Sequence, residues 1–177
     1  MRIKLDETFR FESDNAKMDS QTVEILGRNR LIEQLVLAGL EVALPLRDRG
    51  IDIIAYMDLT DQTSKFVAVP IQLKAASIRS FSIDKKYNKI SNLVIAYVWG
   101  VQEPDDACTY ALTYDETLGV AEKMGWTKTA TWINKGVYSN TRPGKDLRDL
   151  LEGFLMSPEV WHNKVVAISQ RVNENSV

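Results

Sequence analysis

Residues 39–74, GLEVALPLRDRGIDIIAYMDLTDQTSKFVAVPIQLK, hold three apolar runs separated by polar turns. LEVALPL predicts a first strand, shortened near its end because Pro45 has no N–H to give a ladder. Arg47-Asp48-Arg49-Gly50 reads as a charged turn and IDIIAY as a second strand, which LTDQTS turns back onto FVAVPIQLK. In this third strand Val67, Val69, Ile71 and Leu73 share one face; Phe66, Ala68, Pro70, Gln72 and Lys74 share the other. Gln72 and Lys74 therefore project together, and Asp52 opens the neighbouring strand. Pro70 removes a backbone donor from a strand read as central, so a bulge or an unpaired position is expected there. A carboxylate and a Gln-x-Lys pair in an apolar hairpin need a chemical reason.

Upstream, Asp19 or Ser20 suits the N-cap of a helix, QTVEILGRNRLIEQLVLAG, that Gly39 ends. At ~100° per residue, Ile25, Ile32, Leu35 and Val36 share a face, with Leu31 at its edge. Arg30, Glu33 and Gln34 fall on the other side. Glu24 falls within the apolar arc beside Arg28. Either it serves a site, or it is a surface residue paired with Arg28 at i,i+4. Residues 1–18 show no clear period and read as an arm.

Downstream, ASIRSFS reads as a loop and IDKKYNKI as a short helix. NLVIAYVW predicts a strand covered on both faces, and CTYALTY a fifth strand. Thr113 or Asp115 can cap the helix ETLGVAEKMG, which Gly125 ends. WTKTATWINKGVYSNTRPG reads as a short helix plus loop. KDLRDLLEGFL predicts a helix with an apolar stripe of Leu147, Leu150, Leu151 and Phe154, and SPEVWHNKVVAISQ a last short helix. RVNENSV reads as a polar, frayed tail. The order α-β-β-β-α-β, then β and further helices, predicts an α/β sandwich around a mixed sheet of about five strands. One domain is expected over residues 1–177, with a core at 19–113 and a helical C-terminal extension at 114–177.

Of the 177 residues, 45% are apolar and 26% charged, as in soluble globular proteins. No apolar run approaches the ~20 residues that span a bilayer, so no membrane partner is expected. The first residues, polar and mixed in charge, read as neither a secretory signal nor a transit peptide. One cysteine excludes an internal disulfide framework and fits a reducing cytoplasm. With one cysteine and one histidine, a Cys/His zinc site is not available. Any metal must take oxygen ligands, which favours Mg²⁺, Mn²⁺ or Ca²⁺. The net charge of −2 argues against a non-specific nucleic-acid coat. Yet residues 71–91 carry Lys74, Arg79, Lys85, Lys86 and Lys89 against Asp84 alone, a local excess of +4.

These residue types suit phosphodiester cleavage, in which a cation neutralises the phosphate, a water is activated and the leaving oxygen is stabilised. Asp52 supplies a carboxylate, Gln72 a neutral amide oxygen, and Glu24 a second carboxylate, together enough to hold Mg²⁺ or Mn²⁺. Lys74, beside Gln72, is placed to hold or deprotonate the attacking water. Ser77, Arg79, Ser80, Lys85 and Lys86 are candidate contacts to a nucleic-acid backbone, with Arg142 and Lys145 a second group. The plainer readings stand beside these: Asp52 as a turn cap, Lys74 as a strand-end lysine reaching water, the basic run as a solvated face. Cys108, in an apolar strand, reads as inert and His162 as a surface or packing residue. The tryptophans (99, 126, 132 and 161) read as core or interface, with Trp132 also a candidate to stack on a base.

A helix glutamate, then Gly-x-x-Val at 39–42, an aspartate at a strand start (Asp52) and Gln72-Leu73-Lys74 resemble the PD-(D/E)xK nuclease superfamily. The likeness is to its Q-x-K branch, found in Mrr-like restriction endonucleases and small uncharacterised endonuclease-like proteins, and it covers residues 20–99. It implies a restriction-endonuclease-like core and a Mg²⁺-dependent endonuclease acting on DNA. Asp52, Gln72 and Glu24 would be the metal ligands, and Asp52, Gln72, Lys74 and Glu24 the catalytic group. Glu33 lies closer to Gly39, but the helical wheel puts it on the solvent side, so Glu24 is preferred. Ile51 stands where the motif has proline, and Gln72 where it has an acid. The alternative is a weak or inactive nuclease-fold binding module, or a subunit of a restriction or defence system. A duplex cutter needs two sites, so a homodimer is the expected assembly.

Overall fold

Helix α1 (Ser20–Leu37) starts where Asp19, with extended backbone, turns its carboxylate onto the free amides of the first turn. That carboxylate accepts from the N–H of Gln21 at 2.8 Å and of Thr22 at 2.9 Å. The helix ends at Ala38, and Gly39 takes the left-handed φ of +74° that a non-glycine would resist. The computed structural model describes residues 18–47, 49–57, 66 and 68–174. The N-terminal arm up to residue 17, the LTDQTS turn, Val67 and the last three residues of the tail lie outside the described residues.

The face that α1 buries differs from the one its apolar wheel predicts. Leu31 and Leu35 are fully buried, with Gly27 and Ala38 on the same stripe, whereas Ile25 and Val36 are more than half exposed. The cause is Gly27: a Cβ there would stand 2.4 Å from the Cβ of Ala75. The helix backbone lies directly on the third strand at this point, and a hydrophobicity wheel gives a glycine no weight. The seam is therefore rotated, and Glu24 is exposed rather than enclosed in an apolar arc.

Five strands form one mixed sheet in the order β1-β2-β3-β5-β6. They are β1 (Glu41–Ala43), β2 (Ile53–Tyr56), β3 (Ala68–Ala75), β5 (Val94–Trp99) and β6 (Cys108–Thr113). β1, β2 and β3 are antiparallel neighbours, β3 and β5 are parallel, and β5 and β6 are antiparallel. β1 is shorter than LEVALPL predicts, and Leu44 and Leu46 are exposed. Pro70 causes no bulge. The β2–β3 register runs unbroken from Ile53↔Ile71 to Tyr56↔Ala68, and β5 joins β3 only from Ile71 onward. Pro70 thus sits where one side of β3 has no ladder to satisfy.

β5 alternates between two cores. Val94, Ala96 and Val98 face a layer made by α1 and the long α5 (Pro158–Glu174), while Ile95, Tyr97 and Trp99 face the opposite layer. Such a strand has no polar side, as its sequence predicts. Trp161 and Val165 of α5 are fully buried against Leu31, Leu35 and Ile53, so the C-terminal region shares the core of residues 19–113.

The opposite layer departs most from expectation. Where the sequence predicts a loop and a short helix, Phe81–Asp84 is a strand, β4, followed by a 3-10 turn over Lys85–Lys89. Its partner is β7 (Val137–Asn140), inside a segment read as helix plus loop, so residues 114–177 are not wholly helical. This two-stranded sheet is covered by α2 (Tyr114–Lys123), α3 (Ala130–Lys135) and α4 (Lys145–Leu151). Phe81 stacks on Tyr97, and Trp126 stacks on Tyr138. Trp132 is buried in the same cluster, which removes it as a base-stacking side chain. No helix among the described residues is long and apolar enough to cross a membrane.

Candidate functional site

Continuing the β2–β3 register places Asp52 opposite Gln72. The amide N–H of Asp52 donates to the carbonyl of Ile71 at 2.9 Å, which carries the pairing one residue past the strand. Its Oδ2 then accepts two donors, the backbone N–H of Leu73 at 2.6 Å and the side-chain amide of Gln72. Gln72 is itself 7% exposed, and its Nε2 also reaches the carbonyl of Leu73 at 3.2 Å. Asp52 is thus a carboxylate held by the strand that carries Gln72 and Lys74.

Lys74 lies on the same side of β3 as Gln72, with its ammonium 5.3 Å from the centre of the Tyr87 ring. Beyond Lys74 the chain enters the 76–80 loop. Ala76 donates to Val98, and Gly100 donates to the carbonyl of Ile78 at 2.7 Å. The Trp99 indole donates to the carbonyl of Ser80 at 2.6 Å. The loop is therefore fixed by the end of β5, and Ser77, Arg79 and Ser80 are presented from a held backbone.

These parts surround one cleft of about 1150 Å³. Asp19, Val23 and Glu24 of the α1 terminus line it, with Asp52, Gln72 and Lys74, then Ser77, Arg79 and Ser80, and Arg142 after β7. Glu24 reaches the cleft because the Gly27 contact lays α1 close to β3. It also pairs with Arg28 at 2.5 Å, the i,i+4 arrangement weighed from the sequence. Asp19 is occupied with its cap: hydrogen bonds from the backbone and side chain of Thr22 hold its carboxyl below the usual range. Glu33 is exposed on the outer side of α1.

Three of the predicted backbone contacts fall elsewhere. Lys85 turns away: its stem packs on Gly136 and its ammonium sits 5.0 Å from the Trp132 ring. Lys86 faces a separate hollow beside Tyr87. The cause is the unforeseen β4, which carries the basic run across the sheet instead of along the cleft wall. Lys145 is taken up by Asp149 at 2.7 Å on α4 and does not line the cleft. Arg142 does line it, and so does Thr141. Arg142 follows β7, whose Val137–Asn140 pair with Asp84–Phe81 of β4, a pairing that neither four-residue stretch signals by itself. His162 is exposed, with Nδ1 3.1 Å from the carbonyl of Ala38, and does not line the cleft.

Among the described residues, no group of three or more His, Cys, Asp or Glu side chains is gathered to hold a metal ion. The cleft is lined by three carboxylates, Asp19, Glu24 and Asp52, and the Gln72 amide; Asp19 is engaged in the α1 cap, which leaves Asp52, Glu24 and Gln72 as the candidate oxygen donors. That set does not form a protein cage. It fits a hard cation such as Mg²⁺, which keeps several waters and uses one or two carboxylates together with substrate phosphate. No family model, curated protein or solved structure matches the chain.

Proposed function

We propose that this protein is a divalent-cation-dependent nuclease of the PD-(D/E)xK kind, cutting phosphodiester bonds in DNA. One observation carries the reading: Asp52, Gln72, Lys74 and Glu24 line a single cleft together with Ser77, Arg79, Ser80 and Arg142. Carboxylates and cations in one cleft suit a phosphate that must be both gripped and attacked.

Asp52 and Glu24, with Gln72 as a neutral ligand, would hold Mg²⁺ or Mn²⁺. Such a cation neutralises the scissile phosphate and lowers the pKa of the attacking water. Gln72 now offers Nε2 to Asp52; a half-turn of its amide exchanges that donor for Oε1. Lys74 orients the attacking water by hydrogen bonding, with its ammonium kept near the Tyr87 ring face. Arg79 and Arg142 clamp the phosphate oxygens within the same cleft, each guanidinium able to bond two oxygens at once. Cutting both strands of a duplex calls for two copies of such a cleft, so a homodimer belongs to the same proposal.

Metal-dependent cleavage of plasmid, linear and branched DNA tests the assignment. The wild type is expected to cut with Mg²⁺ or Mn²⁺, and Asp52→Ala and Lys74→Ala to lose about a hundredfold or more each. Equal activity in all three proteins would overturn the site.

A specific feature favours a second reading, a nuclease-fold binding module. Asp52 is already occupied by two N–H donors and Glu24 by Arg28. A cleft satisfied in this way can hold nucleic acid without a cation. DNA binding that is indifferent to Mg²⁺, with no cleavage in any metal, would select it.

A further inference from the structure

Tyr87 joins two basic regions. Its ring is buried, yet it takes the Lys74 ammonium at 5.3 Å and the Lys86 ammonium at 5.0 Å. Lys74 belongs to the cleft. Lys86 belongs to a hollow of about 290 Å³ lined by Arg49, Gly50, Lys86, Tyr87, Lys89 and Ile90. Gly50 forms the partition. With φ of +93° it holds a turn that favours glycine, and a Cβ there would stand 3.9 Å from both Gln72 Oε1 and Tyr87 Cε1. The hollow thus lies just behind the Asp52–Gln72 pair.

Its lining has three cations and, among the described residues, no acid. Asp84 reaches Lys86 from outside the hollow at 3.4 Å. Lys86 is exposed and Asp84 half-buried, and at this separation the pair is weak. Arg49 and Lys89 are exposed as well. The floor is apolar, from Ile90 and the Tyr87 edge. Cations around an apolar floor match the alternation of phosphate and sugar along a nucleic-acid strand.

Resting on the nuclease reading, we propose that Arg49, Lys86 and Lys89 form a second anion site that holds the phosphodiester backbone of the DNA beyond the segment in the cleft. Tyr87 and Gly50 are the ridge over which the strand passes. The site sets a minimum substrate length, because a short oligonucleotide fills the cleft alone and a longer one fills both.

The test is fluorescence anisotropy of short and long labelled DNA in EDTA, so that no cleavage intervenes. The Arg49→Ala/Lys86→Ala/Lys89→Ala protein is expected to bind long DNA about tenfold or more weakly at low salt. The slope of log K against log salt should shrink by about three, since each of the three lost phosphate contacts removes roughly one released counterion. Affinity for the short DNA should stay as in the wild type. Equal losses for short and long DNA, or none for either, would overturn the second site. The Lys86→Gln/Lys89→Gln protein, altered only at exposed positions, gives the same comparison if the triple variant folds poorly. A wild type that binds long DNA through these residues but cuts nothing removes the nuclease reading and keeps the site. One that cuts, with long-DNA affinity untouched by the substitutions, removes the site alone.

Discussion

Asp52 Oδ2 stands 2.6 Å from the backbone nitrogen of Leu73, the residue between Gln72 and Lys74. The carboxylate is thereby tied to the middle of the Gln-x-Lys segment by the backbone itself, whatever the side chains on either side do. A charge-assisted bond to a main-chain N–H is among the stronger hydrogen bonds a protein makes. It fixes Asp52 against β3, so the site is preorganised in one dimension before any ligand arrives.

That bond separates structural from chemical roles. Asp52→Ala leaves the Leu73 N–H without its acceptor, at a cost of about 1–3 kcal/mol. Asp52→Asn can keep an oxygen on that N–H and present its own NH₂ to Gln72 after an amide flip. Urea unfolding should therefore rank the wild type above Asn and Asn above Ala, while both variants lose cleavage. Ala and Asn of equal stability would show that the Leu73 bond holds nothing.

Gly27 gives a prediction opposite to helix propensity. In a helix interior, Gly→Ala ordinarily gains about 1 kcal/mol. Here the new methyl would come to 2.4 Å of the Ala75 Cβ, and forcing extra volume into a tight contact costs about 1–3 kcal/mol. Gly27→Ala is expected to lower the melting temperature, and adding Ala75→Gly to restore most of it. The two substitutions should couple strongly in a double-mutant cycle. Additive effects would mean that α1 and β3 part without cost.

The hairpin was legible because period-two alternation and turn residues both mark it, and β5 because a strand buried on both faces has no polar positions. α1 was legible in extent but not in rotation, since its seam is built on Gly27 and Ala75, which a hydrophobicity pattern ignores. β4 and β7 were missed for a different reason. They pair across more than fifty residues, and each alone is four residues long, too short to stand out against its surroundings. That miss sent Lys85 and Lys86 to the wrong wall and left Arg142 without a strand to deliver it. Asp52, Gln72 and Lys74 needed only the local hairpin register.

Glu116 links the core to α5 and should make acid stability depend on one residue. Burial pushes its carboxyl upward, but hydrogen bonds from Lys164 and from the backbone of Thr113 outweigh that, so it lies below its ordinary value of 4.5. Its Oε2 is 2.8 Å from the Lys164 ammonium and 2.7 Å from the Thr113 amide nitrogen, closing a capping box at α2. A depressed carboxylate stabilises fully above the ordinary pKa, and that stabilisation fades as pH falls through the lower folded value. Gln at this position keeps the capping box, so Glu116→Gln should cost the charge pair alone, roughly 0.5 kcal/mol at neutral pH for a partly exposed carboxylate and progressively less in acid. Melting curves from pH 7 down to pH 3 (at about unit steps) should converge for the two proteins at the acid end. A constant gap at every pH would assign the effect to packing instead.

Gln72 is where the proposed chemistry can be strengthened rather than removed. It is nearly fully buried and donates to Asp52. Gln72→Glu replaces that donor by a second carboxylate and sets two like charges together in a confined place. Without a cation, one carboxyl must be protonated or the pair must separate, which destabilises the fold. With Mg²⁺ or Mn²⁺ present, two adjacent carboxylates make a better oxygen site than a carboxylate and an amide. The variant is therefore expected to melt below the wild type in EDTA and to gain more from added cation. The gain should grow with the logarithm of metal concentration once the site is near saturation, because only the folded state gathers the ligands. In Gln72→Glu/Asp52→Asn the extra gain should disappear, which assigns the cation to this pair rather than to the Asp19 cap or the Glu24–Arg28 pair. A differential scanning titration with both metals reads all three proteins directly. If wild type and Gln72→Glu respond to Mg²⁺ and Mn²⁺ alike, Asp52 and Gln72 hold no cation, and the cleft binds its ligand through Lys74, Arg79 and Arg142 alone.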